Sequence, residues 1–164
     1  MRDVAIIGVG QIPVGEHWNS SLRMLATEAI HLALEDAGIE QIDALYVGNA
    51  YGGNISSQTQ LGALIADYAG LTPVEAYTVE AAEASGAAAI RTAYLAVASG
   101  AVETAAVVGV EKSTDMLASA RVEARNVSLD ADYEAAHGAT LTALAAMLMR
   151  RYMFEYGLDL NAFE

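Results

Sequence analysis

The feature that most constrains the fold is an alternation of short apolar runs with longer segments whose apolar side chains recur at helical spacing. The apolar runs have the length of buried strands and comprise residues 4–8, 44–47, 77–79 and 104–108. Each helical segment is followed by a glycine that suits a left-handed helix end, and these segments comprise residues 22–37, 59–69 and 84–99. Such alternation builds βαβ units with right-handed crossovers. We therefore predict an α/β fold with a mainly parallel sheet and helices on both faces.

The pattern changes in two places. Gly52-Gly53-Asn54 is predicted to be a turn, and the charged residues 111–136 are predicted to be an irregular excursion. A last helix is predicted over residues 140–156, and the sequence ends shortly after it without another strand. We therefore predict an incomplete α/β domain over residues 1–118 and the beginning of a second region over residues 119–164.

The charge balance and the absence of cysteine narrow the possible functions. With 8 basic and 21 acidic side chains the chain carries a formal charge of −13, which repels phosphate backbones and anionic lipid surfaces. We predict no nucleic acid and no membrane as partners, and the start of the sequence shows no secretory leader, so a cytoplasmic location is expected. Without cysteine the chain has no disulfide, no thiolate metal site and no cysteine nucleophile, and three scattered histidines predict no metal site.

The third predicted helix, residues 84–99, is the most informative segment. Its side chains are small or apolar nearly all the way round, which predicts burial on several sides. The N-terminus of a buried helix directs free N–H groups and the positive end of the dipole at one point, where an anion or a developing oxyanion is stabilised. Glu83 occupies that point, directly after a predicted strand. It either complements the dipole, by roughly 0.3–1 kcal/mol, or stands where a strand-to-helix elbow displays a nucleophile.

Four separated segments resemble the thiolase family. Glu80-Ala81-Ala82-Glu83-Ala84-Ser85-Gly86 is similar to the family's nucleophile segment, Glu-Ala-Ala-Cys-Ala-Ser-Gly, and the match places Glu83 at the position of the cysteine. Residues 108–116 are similar to the family's Gly-Gly-x-Glu-x-Met segment. The stretches over residues 4–13 and 137–152 look most like those of sterol-carrier-protein-type and archaeal acetyl-CoA acetyltransferases. The resemblance extends over essentially the whole chain.

The resemblance implies a fold, a substrate class and partners. A thiolase has two similar halves with a loop domain inserted in the first, and it works as a dimer on acyl-CoA thioesters without a permanently bound cofactor. This chain would then be an incomplete first half, with residues 119–164 as the start of the loop domain. The implied partners are a second copy or a complementary C-terminal half, together with a small OB-fold protein of the kind that archaeal-type thiolases use.

Five further residues are candidate substrate contacts. Met116 resembles a family position near the active site, and His137 with Gly138 lies where the family's loop domain approaches the acyl-CoA. Arg121 and Arg125 stand out in an acidic chain as candidate partners of the coenzyme A phosphates. Each has a structural alternative: a core methionine, a helix-start histidine, or a solvated charged loop.

Glutamate at the nucleophile position predicts that acyl-transfer chemistry is altered or lost, because an acylated carboxylate is a mixed anhydride. Three accounts of Glu83 stay open: an inactive homologue or fragment that keeps the acyl-CoA surface, a carboxylate that acts without covalent chemistry as in decarboxylase-like or aldolase-like relatives, and a glutamyl thioester. The expected function is that of the N-terminal part of an acetyl-CoA C-acyltransferase-like protein of lipid metabolism. The alternative is a non-catalytic acyl-CoA-binding or assembly subunit that pairs with a complementary chain.

Overall fold

The computed structural model describes residues 2–163, and the chain divides into two compact units. The first unit extends to Asp115, and the second begins at Met116. All strands that the structure describes belong to the first unit, and the described part of the second is helical.

Three parallel strands form the sheet of the first unit: β1 (Ala44–Gly48), β2 (Glu75–Val79) and β3 (Ala105–Gly109). The order is β2-β1-β3, and the register pairs Gly48 with Val79 on one side and with Gly109 on the other. All five residues of β1 are buried, whereas the two outer strands are only partly covered. Because the three strands are parallel and in register, their carboxyl ends meet along one edge of the sheet.

Four helices surround this sheet: α1 (Leu22–Ala37), α2 (Gly52–Ile55), α3 (Leu61–Tyr68) and α4 (Ser85–Ser99). The Ser21 hydroxyl caps α1 by accepting a hydrogen bond from the Met24 N–H, and the helix ends at Gly38 with a φ of 67°. Helix α4 likewise ends at Gly100, where φ is 84°. Glycine adopts these left-handed angles without a steric penalty, so the predicted ends of both helices are confirmed.

Apolar side chains cover both faces of the sheet. On one face, Leu45 and Val47 of β1 pack with apolar side chains of α1 and α3. On the other face, Ala44 and Tyr46 pack against α4, where Ala89 is fully buried. Successive residues of a strand point to opposite faces, so two covered faces require the continuous apolar run that β1 has. The predicted α/β fold with helices on both faces is confirmed.

The predicted first strand, over residues 4–8, is wrong. Residues 2–13 belong to no helix or strand, and the side chain of Ile6 is 85% exposed. An apolar run becomes a strand only where a neighbouring strand supplies hydrogen bonds, and this run pairs with none of the three strands of the sheet. The run lies instead against α1, so close that a Cβ on Gly8 would be 2.4 Å from the carbonyl oxygen of Ala33.

The burial predicted for α4 is also wrong. Within the described chain the helix is buried along one side, at Ser85, Ala89, Ala93 and Ala98. The opposite side carries Ile90 and Tyr94, which are 59% and 48% exposed. A helix that is apolar all the way round can be covered on several sides, but the sides that are covered depend on which strands and helices pack against it.

The segment predicted as a turn, Gly52-Gly53-Asn54, is part of the single helical turn α2. The N–H groups of Asn54 and Ile55 both donate to the carbonyl oxygen of Tyr51, at 2.9 and 2.7 Å. The turn therefore begins at a defined residue and has an internal hydrogen-bonding pattern.

The second unit contains two α-helices and three 3₁₀ turns among its described residues: α5 (Ala118–Arg125), α6 (Leu141–Tyr156), Asn126–Ser128, Ala135–His137 and Leu160–Phe163. Thr140 caps α6 by accepting from the Ala143 N–H, and Gly157 ends it at a φ of 64°, as predicted. The excursion predicted to be irregular contains α5, which is rich in the good helix formers Ala, Arg and Glu.

Candidate functional site

The carboxyl ends of the three strands are joined by Asn49, which directly follows β1. Its amide nitrogen donates to the carbonyl oxygen of Val110 at 2.8 Å, and its backbone N–H donates to the carbonyl oxygen of Val79 at 3.2 Å. Its side-chain oxygen accepts from the Gly52 N–H at 2.9 Å. Asn49 is buried, so these bonds tie the ends of all three strands to the beginning of α2 with little competition from water.

A tight elbow between β2 and α4 carries Glu83. Ala82 has a φ of 47°, in the left-handed region that few residues other than glycine adopt, and the Ala84 N–H donates to the carbonyl oxygen of Ala81 at 2.9 Å. The Ser85 hydroxyl accepts from the Ala81 N–H at 2.9 Å and donates to the Ala82 carbonyl oxygen at 2.6 Å. These bonds hold a strained turn that displays Glu83 to solvent just before the first turn of the helix.

The N-terminus of α4 is open to an approaching group. Ala84, at the N-cap, makes no side-chain hydrogen bond to the first turn of this 15-residue helix. The first helical N–H, that of Ser85, donates to the carbonyl oxygen of Ala82 at 3.1 Å. A Cβ on Gly86 would meet no atom within 4 Å. By contrast, a Cβ on Gly48 would lie 2.9 Å from the carbonyl oxygen of Ser85. The elbow therefore rests directly on the end of β1, while the space beside Gly86 is open.

The Glu83 carboxylate is held by a phenol. Tyr51, in the loop between β1 and α2, donates from its hydroxyl to Glu83 Oε1 at 2.6 Å. Tyr51 is buried, with 6% of its surface exposed, whereas Glu83 is exposed. A hydrogen bond to an ionised carboxylate is about twice as strong as one between neutral groups. The pair therefore fixes the carboxylate at the N-terminus of α4, where the helix dipole favours negative charge.

A second carboxylate, Glu111, holds the loop that carries Tyr51. Its Oε2 atom accepts from the N–H groups of Tyr51 at 2.9 Å and Ala50 at 3.2 Å. The same oxygen accepts from the Asn49 amide at 3.2 Å. Glu111 follows β3, so the ends of all three strands contribute to one site: Asn49 and Tyr51 after β1, Glu83 after β2, and Glu111 after β3.

This arrangement combines two carboxylates, a phenol and an uncapped helix N-terminus. The N–H groups of the first helical turn can stabilise negative charge that develops on a carbonyl oxygen. Glu83 can accept a proton, and the Tyr51 hydroxyl can donate a hydrogen bond. Among the described residues no cluster of His, Cys, Asp or Glu side chains suits a metal ion. No helix in the described part of the chain has the length and apolar composition needed to cross a bilayer.

The other candidate residues from the sequence belong to the second unit. Met116 is its first residue and is half-buried, and Arg121 and Arg125 lie on α5. His137 is the last residue of a 3₁₀ turn, and Gly138 ends that turn with a φ of 79°. Their roles as substrate contacts stay predictions.

Two site residues were missed by sequence reasoning. Asn49 carried a usable signal, because a polar side chain at the carboxyl end of a predicted strand is a frequent position for functional groups in α/β folds. Tyr51 carried none, since it lies beside a glycine-rich segment with no periodicity. Glu111 entered only as part of a family segment, and its link to the loop after β1 is visible only in the fold.

Several known proteins are similar to this chain over most of its length. The family model for the thiolase N-terminal domain matches residues 4–157. An acetyl-CoA acetyltransferase of Methanocaldococcus jannaschii is 49% identical over 163 residues, and the match covers 98% of this chain and 41% of that protein. An acetyl-CoA acetyltransferase of Methanothermobacter thermautotrophicus is 47% identical over 159 residues, covering 96% and 41%. The benzoylsuccinyl-CoA thiolase subunit BbsB of Thauera aromatica is 34% identical over 159 residues, covering 95% and 39%.

The structural comparison agrees at the level of the fold. The solved structure of 3-oxoacyl-[acyl-carrier-protein] synthase III from Aquifex aeolicus VF5 matches with a TM-score of 0.50 and 20% sequence identity, over 56% of this chain and 30% of that one. This chain spans 41% of the length of each of the two acetyl-CoA acetyltransferases. The family match covers most of the chain and includes the elbow, the loop after β1 and both units. The chain therefore belongs to the thiolase family, where it corresponds to the N-terminal domain.

Proposed function

We propose that this chain supplies the acyl-CoA-facing site of a thiolase-family protein and that Glu83 stands at the position of the nucleophile. The observation that carries the proposal is the strained elbow at Ala82, which displays Glu83 at the uncapped N-terminus of α4. The substrate class comes from the relatives, which are named as acetyl-CoA acetyltransferases and as a subunit of a CoA thiolase. In this proposal the carbonyl oxygen of a bound thioester faces the N–H groups that follow Ser85 in the first turn of α4, because the Ser85 N–H donates to the Ala82 carbonyl oxygen.

Glu83 changes the chemistry that the site performs. If its carboxylate attacked a thioester carbon, coenzyme A would leave as a thiolate and the product would be a mixed anhydride, which is less stable than the thioester. The bond from Tyr51 also occupies one carboxylate oxygen. We therefore assign Glu83 a non-covalent role, in which the carboxylate accepts a proton from, or places negative charge beside, a bound acyl-CoA.

One observation favours the alternative of a non-catalytic acyl-CoA-binding or assembly subunit. Tyr77 on β2 and Ile90 and Tyr94 on α4 are 43%, 59% and 48% exposed, although each is a large apolar or aromatic side chain. Exposed apolar side chains on neighbouring elements are typical of surfaces that another chain covers. Under this alternative the cover is a second copy, a thiolase C-terminal half or a small OB-fold protein.

The elbow can be tested with a single introduced thiol, because the chain contains no cysteine. We expect the thiol of Glu83→Cys to react with iodoacetamide faster at neutral pH than the thiol of Glu40→Cys, since a helix N-terminus stabilises the thiolate. Glu40 is a matched control, being an exposed glutamate in the loop between α1 and β1, away from any helix N-terminus. We also expect Glu83→Cys, and not Glu40→Cys, to acquire an acyl group from acetyl-CoA, as measured by intact mass. Equal reactivity of the two thiols would contradict a nucleophile position at residue 83.

The unmodified chain separates the three accounts of Glu83. It is incubated with acetyl-CoA and with malonyl-CoA, and both the intact mass and released carbon dioxide are measured. Release of carbon dioxide from malonyl-CoA without an adduct is the expected result and supports a non-covalent role for Glu83. An adduct on Glu83 would show covalent chemistry instead, and the absence of both outcomes would favour the binding or assembly subunit.

A further inference from the structure

Tyr51 connects the two carboxylates of the site. Its backbone N–H donates to Glu111 Oε2 at 2.9 Å, and its hydroxyl donates to Glu83 Oε1 at 2.6 Å. The residue is 6% exposed, so the ring itself is enclosed by protein while only the hydroxyl end meets the exposed Glu83. Neither the family segments nor the elbow requires a tyrosine in this loop.

Hydrogen bonds on both sides of Tyr51 along the chain hold its backbone, and therefore its ring, in place. The carbonyl oxygen of Tyr51 accepts from the N–H groups of Asn54 and Ile55 at 2.9 and 2.7 Å, which makes the residue the start of α2. On its N-terminal side, the amide of Asn49 is bonded to both Val110 and Glu111. The Tyr51 hydroxyl therefore reaches Glu83 from a backbone that has little freedom to move.

The side chain of Glu83 has more rotamers open to it than the buried side chain of Tyr51. It is solvent-exposed, and a glutamate side chain that is held in one rotamer loses about 1.5–2 kcal/mol of conformational entropy at 25 °C. A hydrogen bond from a phenol to an ionised carboxylate is of the size needed to offset that loss. Without the phenol hydroxyl, the Glu83 carboxylate loses this hydrogen bond, and the set of rotamers that it samples widens.

We propose that Tyr51 is a positioning residue of the site: its hydroxyl holds the Glu83 carboxylate at the N-terminus of α4, and Glu111 holds the Tyr51 backbone. The hydrogen bonds of Tyr51 to Glu83 and Glu111 are present in the structure, and the importance of the held carboxylate for catalysis rests on the proposed function. Tyr51 acts through Glu83 and makes no contact with the substrate in this account.

The variant Tyr51→Phe removes the hydroxyl and keeps the ring, so it isolates the bond to Glu83. Tyr46→Phe is the matched control, because Tyr46 is also a buried tyrosine whose hydroxyl donates to a carboxylate, Glu75, at 3.1 Å. The readout is the rate at which Glu83 is amidated by a water-soluble carbodiimide and glycinamide, followed by peptide mass spectrometry. We expect the rate at Glu83 to rise about tenfold in Tyr51→Phe, from the loss of a charge-assisted hydrogen bond, and to stay unchanged in Tyr46→Phe.

Two other glutamates in the same digest show whether the effect is local. The amidation rates of Glu80 and Glu111 are expected to stay unchanged in Tyr51→Phe. An unchanged rate at Glu83 would overturn the proposal. A parallel rise at Glu83 and Glu111 would also overturn it, because it would mean that the loop had opened and that the hydroxyl was merely structural.

A kinetic readout distinguishes this inference from the proposed function. In the malonyl-CoA assay, Tyr51→Phe is expected to lower kcat for carbon dioxide release about tenfold with KM unchanged, because substrate binding does not involve Tyr51. If the unmodified chain shows no turnover but amidation at Glu83 responds to Tyr51→Phe, the proposed function fails and the positioning role stands. If turnover occurs but neither amidation nor kcat responds to Tyr51→Phe, the positioning role fails and the proposed function stands.

Discussion

Gly48 is the residue at which β1 meets the elbow, and we expect Gly48→Ala to displace that elbow. A Cβ at this position would lie 2.9 Å from both the carbonyl oxygen of Ser85 and the Cα of Gly86. Both are backbone atoms, so neither can move aside by a change of rotamer. Gly109 is the matched control, because it is the register partner of Gly48 in the neighbouring strand and its Cβ would meet no atom within 4 Å.

The magnitude follows from these distances. Ordinary contact begins at 3.4 Å, so the elbow must retreat by about 0.5 Å, and overpacking of this kind costs about 1–3 kcal/mol. The restriction of the unfolded chain by alanine offsets about 0.4–1 kcal/mol of that cost. We therefore expect Gly48→Ala to lower the free energy of unfolding by about 1–2 kcal/mol. Gly109→Ala restricts the unfolded chain without creating a close contact, so it should be neutral or slightly stabilising.

The assay is urea unfolding followed by far-UV circular dichroism, with thermal unfolding as a second measurement. For a chain of this length, 1 kcal/mol corresponds to a shift in Tm of about 2–4 °C. Gly48→Ala should also slow the acylation of a thiol introduced by Glu83→Cys, because the elbow moves with Ser85 and Gly86. If Gly48→Ala proved as stable as Gly109→Ala, the close approach of β1 to the elbow would be refuted.

Two further predictions concern stability. Ile65→Ala should lower the free energy of unfolding by about 2–5 kcal/mol, because Ile65 is completely buried. Ile6 is 85% exposed, so Ile6→Ala should change that free energy by no more than about 0.5 kcal/mol. Equal effects of the two substitutions in urea unfolding would contradict the assigned core. The N–H groups of Thr104 and Glu103 donate to the Asp43 carboxylate and hold its pKa below the ordinary value of 3.8. The ionised carboxylate therefore stabilises the fold at pH values above 3.8, and this stabilisation is lost as the pH falls through the lower pKa of the folded state. Asp43→Asn should therefore be less stable than the unmodified chain at pH ~7, with a difference that shrinks by pH ~3; a difference independent of pH would contradict this account.

Local patterns in the sequence were sufficient for most of the helices and strands. The run over residues 44–47 is continuous and apolar, and β1 is indeed buried on both faces. Gly38, Gly100 and Gly157 end the three longest helices because each adopts a left-handed φ there. The apolar run over residues 4–8 has the same local character as β1 but is not a strand, since strand pairing depends on a neighbour that a local pattern does not specify.

The candidate site was only partly accessible from the sequence. Glu83 was identified because the feature that marks it is local: a strand, a tight turn and a helix of small residues follow one another directly. Tyr51 lies 32 residues away from Glu83, and Glu111 lies 60 residues from Tyr51. No periodicity or spacing connects residues at such separations. Their contact depends on the strand order, which places β1 between β2 and β3.

The sequence by itself determined the order of β1, β2 and β3 and of the longer helices, the ends of α1, α4 and α6, the membership of the thiolase family and the position of Glu83 at an elbow. Each of these depends on interactions between near neighbours in the chain, or on segments that can be matched one by one. Only the tertiary structure decided which faces of α4 are covered, that residues 4–8 lie against α1 rather than in the sheet, and that Tyr51 joins Glu83 to Glu111. The physical reason is that these features depend on which elements pack side by side, and the energy that selects those neighbours is shared by contacts across the whole sheet.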